Sequence, residues 1–566
     1  MDDFRYTGLR EGSFLDGRLT LLAGGLVALI LATRILSGIF GTSKKTSKGE
    51  TVPLVPYWVP LVGHLPQFFL LRRTFFPWAR KRYNRGVFRL NLLGTTHNII
   101  YKPAFSHILM SSKGDVADAE SAVKHIMTAV FAWPKTDDAV YEKALAELYD
   151  CYKYLSSSPG LPKLIEGTIV HLRKNINSLV TFTKSPVDQS YWERTSNPEA
   201  TNLSDGEEAV ELNLFTLVRD FVAQTANPAL FGTDFCENNA GVWENLWKMD
   251  REWMYLATGL PPWVPIPRLS RGWLARRRVL AAMEPYEIAL EKLANGEDPG
   301  SDWSNLDNLS DLMKAREAIF HKYNFSLEAR GSANFALLWA MNANANPATF
   351  WMIARVYGDP ELLERIREEV RPYVKVRIPK QEFAVPELPV LEDVDHQALA
   401  EKCPLLKAAY IETLRVDTGG WTFKVMKQDL TLAGREKDAD KFVIEKGTFC
   451  HVAHELHNRD PLYYENPDVW RPERHVRWEP AKEGQPAVGK ADMGTIRPYG
   501  GGEHMCKGRQ FALKEMLLFS ATIFTFWDME PPKGGEWKIP EPVPTVGTNV
   551  IYGEMRVRVK RRKIPA

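Results

Sequence analysis

Residues Arg497–Ala512 read RPYGGGEHMCKGRQFA. The centre of this stretch, Tyr499–Gly508 (YGGGEHMCKG), sets a lone cysteine, Cys506, after three glycines and shortly before a fourth. The apolar run from Cys506 to Trp527 predicts a long helix. Glycines let a backbone pass close beneath a flat partner without Cβ clashes. A cysteine at the start of a helix meets amides that lower a thiol pKa and favour the thiolate. The plain alternative is an inert buried cysteine, which has no need of this glycine-rich setting.

Working outward, 45% of the 566 residues are hydrophobic and 25% are charged, which is globular composition. At about 150 residues per domain the length suggests several domains, but no shift in composition marks a boundary. Lys+Arg numbers 72 and Asp+Glu 70, for a net charge of +2, so no basic excess argues for nucleic acid. The cysteines Cys151, Cys236, Cys403, Cys450 and Cys506 are odd in number and form no CxxC. They make no disulfide framework, and the body is expected in a reducing compartment.

Leu19–Phe40, LTLLAGGLVALILATRILSGIF, has one charge, Arg34. As a helix it would be roughly 33 Å long, enough for a hydrocarbon core of ~30 Å. Its length and lack of a small-residue cleavage site favour an uncleaved anchor over a secretory signal. Arg34, Lys44, Lys45 and Lys48 favour a cytosolic body on a single-pass anchor, against Arg5, Arg10 and Arg18 on the other side. The expected order is a tail over 1–18, a transmembrane anchor over 19–40, a proline-rich connector over 41–66 and a catalytic domain over 67–566. Pro53, Pro56, Pro60 and Pro66 should keep the connector extended and semi-rigid.

The body reads as mainly helical. Apolar periodicity predicts helices over Ser332–Val356, interrupted by Asn342, Asn344, Asn346 and Pro347, and over Pro360–Val370 and Leu405–Arg415. Alternation around Leu430–Leu432 and Phe442–Ile444 predicts a hairpin, and Val550–Val559 a closing strand. Polar stretches at Lys184–Glu211, Asn295–Asp311 and Glu479–Asp492 read as surface loops. Leu260–Ile266 (LPPWVPI) is too proline-rich for a helix and greasy for a loop, so it is either buried or a second membrane contact.

The loop YGGGEHMCKG resembles the haem-ligand loop of the cytochrome P-450 family, with Tyr499 where phenylalanine is usual and His504 where arginine is usual. The resemblance implies a mainly α fold with small β-sheets, a single-domain P-450 architecture behind an N-terminal transmembrane helix. It implies haem b, iron protoporphyrin IX, with Cys506 as axial iron ligand; a thiolate there pushes electron density toward oxygen chemistry. Gly508 completes the loop. Glu412-x-x-Arg415 lies on a predicted helix, where i, i+3 spacing puts both side chains on one side. With Arg474 of WRPERH, these resemble the family's structural Glu–Arg–Arg triad.

The long helix departs from the family pattern. Counting back from Asp359-Pro360-Glu361, Ala343 and Asn344 stand at the acid and alcohol that ordinarily relay protons for oxygen activation. Asn344-x-x-Pro347-Ala-Thr-Phe-Trp is similar to the branch holding the sterol 7α-hydroxylases and prostacyclin synthase, as is VDTGGWTFKVMKQDLTL after Arg415. Fungal secondary metabolism suits such a chain. Asn344 is the candidate catalytic residue: it can orient an oxygen ligand by hydrogen bonding but cannot shuttle a proton as an acid does. The alternative is that it satisfies backbone freed by a kink at Pro347. Alignment with the branch suggests Lys424 and His504 as haem-propionate partners. The family's usual Trp-x-x-x-Arg is not visible, and Lys124 or His125 stands nearest it. Resemblance also implies a pocket lined by Trp421, Thr422, Phe423, Val546 and Thr548, apolar with a few hydrogen bonders.

His451, His454 and His457 do not form HExxH, so a zinc reading is weak. No dinucleotide or P-loop fingerprint occurs. The implied activity is therefore oxidation of a lipophilic small molecule (terpenoid, steroid-like or related polycyclic) with O2 and electrons from NADPH–cytochrome P-450 reductase, cytochrome b5 being an optional second donor. The endoplasmic reticulum membrane is the expected site. A reductase-independent isomerase or dehydratase, and a non-catalytic haem-binding membrane protein, are the competing readings.

Overall fold

In a computed structural model describing residues 11–202, 208–379, 387–434, 440–479 and 488–564, the N-terminal apolar run lies in one helix, Glu11–Phe40. Its 22-residue segment Leu19–Phe40 is the one candidate membrane span among the described residues. The helix begins eight residues before that segment, so the distal part of the expected tail is helical; Arg5 and Arg10 lie outside the described residues.

Contacts group the chain into two units. One takes the chain up to Glu120 with Trp421–Tyr463 and Gly500–His504; the other takes Ser121–Gly420, Tyr464–Tyr499 and everything from Met505 on.

In the smaller unit the proline-rich connector is stitched to a sheet. Arg89 N–H donates to Pro53 O and Arg89 O accepts from Val55 N–H, at 2.8 and 3.0 Å. Pro53 has no amide to donate and takes part only through its carbonyl, so Val55 supplies the connector's donor. A five-stranded sheet runs in the order Val87–Leu92, Thr95–Ile100, Phe449–Ala453, Trp421–Met426, Ala117–Asp118. Leu430–Ala433 and Lys441–Ile444 pair antiparallel, as their alternation predicts.

The larger unit is mainly helical around one apolar core. The predicted helix over Ser332–Val356 is two helices, Leu327–Asn342 and Ala345–Tyr357. The break falls at Ala343–Asn344, ahead of Pro347, because a proline withholds its own amide and its ring crowds the carbonyl four residues back. Ser326 caps the first helix, accepting from Ala329 N–H at 3.2 Å. Pro360–Val370 forms as predicted, with Asp359 capping it.

Three readings are corrected here. The closing strand is two: Val550–Ile551 pairs with Pro542–Val543, while Arg556–Arg561 pairs with Trp527–Glu530 and Glu208–Asn213. A turn with Gly553 at φ 74° separates them and defeats a continuous alternation. The polar stretch Lys184–Glu211 is no plain loop: it contains the helix Tyr191–Thr195 and a hairpin pairing Glu199–Asn202 with Glu208–Asn213. Its polar residues obscured buried Trp192 and the mostly buried strand from Glu208. Glu479–Asp492 likewise adds one side of a hairpin, Val476–Glu479 with Val488–Ala491.

Candidate active site

The helix after the cysteine loop is Arg509–Phe526, with Gly508 at its N-cap position and Cys506 two residues earlier. Cys506 N–H donates to Tyr499 O at 3.0 Å, which folds the loop back on itself. Of the five cysteines only Cys506 is exposed. Partial enclosure pushes its thiol up, while the Gly508 and Arg509 amides and the Arg509 guanidinium pull it down. Enclosure wins on balance, so the free Cys506 thiol lies above its ordinary value; Cys450 is likewise raised by burial, to about 12. A Cβ on Gly508 would stand 4.0 Å from the Cys506 sulfur, so glycine leaves that approach open. Tyr499, in the place of phenylalanine, finds a partner for its hydroxyl in Tyr410 at 2.6 Å. Sequence reasoning missed Tyr410, which looks like an ordinary apolar helix position.

The remaining loop residues belong to the smaller unit. Gly500 and Gly502 adopt φ of 68° and 67°. A Cβ on Gly502 would lie 2.0 Å from Met110 O, so that glycine is required by close packing as well as by its backbone. His504 ends the one-turn helix Gly502–His504 and is half-buried. Lys424 is 2% exposed, and its ammonium donates to Ser112 O and Met110 O at 2.8 and 3.3 Å. Burial lowers its pKa against a weaker opposing pull from the Glu503 and Asp118 carboxylates, neither of which forms an ion pair with it among the described residues. On the same strand Trp421 packs edge-on against Phe68 and Phe76, and Phe423 stacks on Phe449. Thr422, on the other face, bonds His454 at 3.0 Å.

In the larger unit the structure brings Glu412, Arg415 and Arg474 together. Arg415 grips the Glu412 carboxylate with two bonds of 2.7 and 2.8 Å. Arg474 Nε lies 3.2 Å from it. Two further donors were not foreseen: Arg471 N–H at 2.8 Å and His475 Nε2 at 2.7 Å. The only hint of His475 was its place next to Arg474. Burial alone would raise the Glu412 pKa, but the bonds from Arg415 and His475 outweigh it and hold the carboxyl at about 2.

Asn344 sits at the helix break and is half-buried. Its Oδ1 accepts from Thr548 N–H at 2.9 Å. Among the described residues its Nδ2 has no partner. Thr548 is buried and Val546 is 38% exposed. The neighbouring asparagines turn elsewhere: Asn342 and Asn227 exchange bonds of 2.9 and 3.1 Å, and Asn346 Nδ2 donates to Asn342 Oδ1 at 3.1 Å.

Other candidates separate. Lys124 pairs with Glu142, and His125 with Ala257 O. His451 faces His97, His454 faces Thr422 and His457 packs on Tyr463. No cluster of three metal-ligating side chains occurs among the described residues. Arg268 and Arg271 both pair with buried Glu252, at 2.6 and 3.2 Å.

An accessible thiol under two amides at a helix start, on a mainly helical scaffold with a locked carboxylate cluster, defines a haem-thiolate protein. The family model "Cytochrome P450" matches residues 177–551, and the chain belongs to that family. A cytochrome P450 monooxygenase of Hormonema carpetanum, efuG, is 24% identical, covering 94% of this chain and 95% of its own. Cytochrome P450 7B1 of Mus musculus is 21% identical over 89% of each chain. The 25-hydroxycholesterol 7-alpha-hydroxylase of Rattus norvegicus is 24% identical over 50% of this chain and 62% of its own. The protein is thus a haem-thiolate monooxygenase whose relatives include fungal enzymes and the sterol 7α-hydroxylase branch, as NANANPATFW implied.

The residues present fit the family's haem. Cys506 offers the exposed sulfur, with amides that favour its ionised form. Lys424 offers a buried cation with no carboxylate of its own, suited to an acidic substituent.

Proposed function

We propose that this protein oxidises a lipophilic polycyclic compound, terpenoid or steroid-like, using O2 and electrons from NADPH–cytochrome P-450 reductase. The observation that carries the reading is Cys506: exposed, ahead of a helix, and attended by two amides. When bound, the haem supplies the oxygen activation and redox chemistry. The chain supplies the rest. Cys506 would hold the iron through its sulfur, Lys424 and His504 would each offer a cation or donor to a haem carboxylate, and the Glu412–Arg415–Arg474 cluster fixes the backbone around its helix. Trp421, Thr422 and Phe423 in the smaller unit, and Val546 and Thr548 in the larger, are each proposed as substrate-contacting residues. Asn344 has its acceptor committed to Thr548, so it enters as a donor through Nδ2. An amide donor orients a ligand; proton delivery then falls to water.

The substrate class draws on the sterol named for the rat relative and on the chain's own apolar anchor. We place the protein in the endoplasmic reticulum membrane, single-pass and with the catalytic part cytosolic. Exposed Leu61, Leu70, Leu71 and Leu93 in the smaller unit, and Trp263 at 80% exposure in the larger, suit further lipid contact.

The test is reconstitution with the reductase and a panel of terpenoids and sterols. Substrate-dependent NADPH use with oxygen in the product supports the reading. Product without NADPH supports the second reading, a reductase-independent isomerase or dehydratase, which Ala343 and Asn344 at the acid and alcohol positions favour. Cys506→Ala is expected to abolish the thiolate-type spectrum of the reduced carbonyl complex; survival of that spectrum refutes the ligand assignment. Asn344→Ala tests the donor role: unchanged coupling of NADPH to product would refute it.

A further inference from the structure

The turn Val546–Asn549 has a complete account of its backbone hydrogen bonds in its last three residues. Gly547 N–H donates to Thr545 Oγ1 at 3.0 Å and Gly547 O accepts from Gly419 N–H at 2.8 Å. Thr548 O accepts from Thr545 Oγ1 at 2.7 Å. Asn549 N–H donates to Asp417 O at 2.8 Å, and its carbonyl accepts from Trp351 Nε1 at 2.7 Å. One group is left, the amide of buried Thr548, and only Asn344 satisfies it, at 2.9 Å. Removing that acceptor would orphan a buried donor.

Gly547 explains itself by the same contact. Its φ lies outside the left-handed region, so its backbone does not demand glycine. A Cβ there would stand 1.9 Å from Asn344 Oδ1 and 3.0 Å from Asn344 Cγ. The other neighbours leave room: the three nearest heavy atoms to that Cβ all belong to Asn344, the third at 3.4 Å, so every other atom stands at least that far away. The space missing at 547 is the space taken by the Asn344 amide.

We infer that Asn344 and Gly547 are a matched pair, a clasp by which the broken helix sets the position of the Val546–Thr548 pocket wall. Asn344 is then a positioning residue for substrate selection through Oδ1, whatever Nδ2 does. The helix break makes this possible, since a residue inside a continuous helix would be held by the helical ladder. The inference rests on the monooxygenase reading only in taking Val546 and Thr548 as pocket wall; the clasp itself is a property of the fold.

Amide exchange by mass spectrometry over 544–551 reads the clasp directly in the haem-loaded protein. Asn344→Ala and Gly547→Ala are each expected to speed Thr548 exchange by roughly tenfold. Asn344→Asp keeps an acceptor oxygen and should keep the protection. The effects should not add: with Asn344 cut to alanine the collision at 547 is gone, so the double variant should match Asn344→Ala alone. Binding of clotrimazole, a bulky azole, should weaken in the alanine variants, while small imidazole binds about as in the wild type. Thr548 exchange unchanged in Asn344→Ala, or additive effects in the double variant, would overturn the clasp. If Asn344→Ala does not fold, Gly547→Ala against Asn344→Asp makes the same comparison. Failure of the donor role appears instead as unchanged coupling with altered exchange, so the two readings fail separately.

Discussion

The larger unit buries two polar clusters that solve one problem in opposite ways. Around Glu412, two arginines, a histidine and a backbone amide converge on one carboxylate, and the charge is held ionised. Around Asn342, the groups are all neutral: Asn227, Asn342 and Asn346 bond one another, with Leu338 O and Arg219 O taking spare donors. The charged cluster leans on strong, charge-assisted bonds to offset desolvation. The asparagine ladder avoids that desolvation cost, but Asn346 Oδ1 is left without a partner. The difference is one of tolerance: the first cluster fails as a unit, the second loosens by steps.

The comparison is broken most sharply by Arg415→Ala. It strips two bonds from a buried carboxylate and is expected to cost about 3–5 kcal/mol, read as lost folded yield and a lower denaturant midpoint. Asn342→Ala should cost less, about 1–3 kcal/mol, since only neutral groups lose partners. Combined with Asn227→Ala it should cost less than the sum, because both remove the same bonds. A cost for Asn342→Ala equal to that of Arg415→Ala would erase the distinction.

Acid separates the clusters further. The Glu412 carboxyl lies below its ordinary 4.5, at about 2, so its stabilisation is complete above that ordinary value and is lost as pH falls through about 2. Urea midpoints measured downward from pH 5 should fall in the wild type and keep that slope in Asn342→Ala.

The smallest effect concerns Glu515, a buried carboxyl with no donor on Oε2, raised by burial to about 8. A raised carboxyl gives its full contribution below its ordinary value and loses it as pH rises through about 8. Glu515→Gln should flatten the decline in thermal midpoint between pH 7 and 9, and an unchanged decline would refute that source.

How legible each part was follows from where its partners lie. Glu412 and Arg415 share a helix face three residues apart, so their pairing could be read directly. Pro360–Val370 carried its cap and its proline in adjacent positions. Asn227 stands 115 residues from Asn342 with no motif around it, and Tyr410 gave no sign that it would meet Tyr499. The break in the asparagine helix was foreseen as a kink at Pro347; its true place three residues earlier follows from proline's effect on preceding carbonyls.

The sequence alone determined the chemistry of the cysteine loop, because glycine conformation, a cysteine and a following helix are local properties of a short segment. It determined the long apolar helix near the N-terminus for the same reason, since length and apolarity are properties of one run of residues. Tertiary structure decided which asparagine does what. An amide side chain both donates and accepts, so its role is set by whichever backbone or side chain the fold brings within about 3 Å. For Asn344 that neighbour is the amide of Thr548, 204 residues further along the chain.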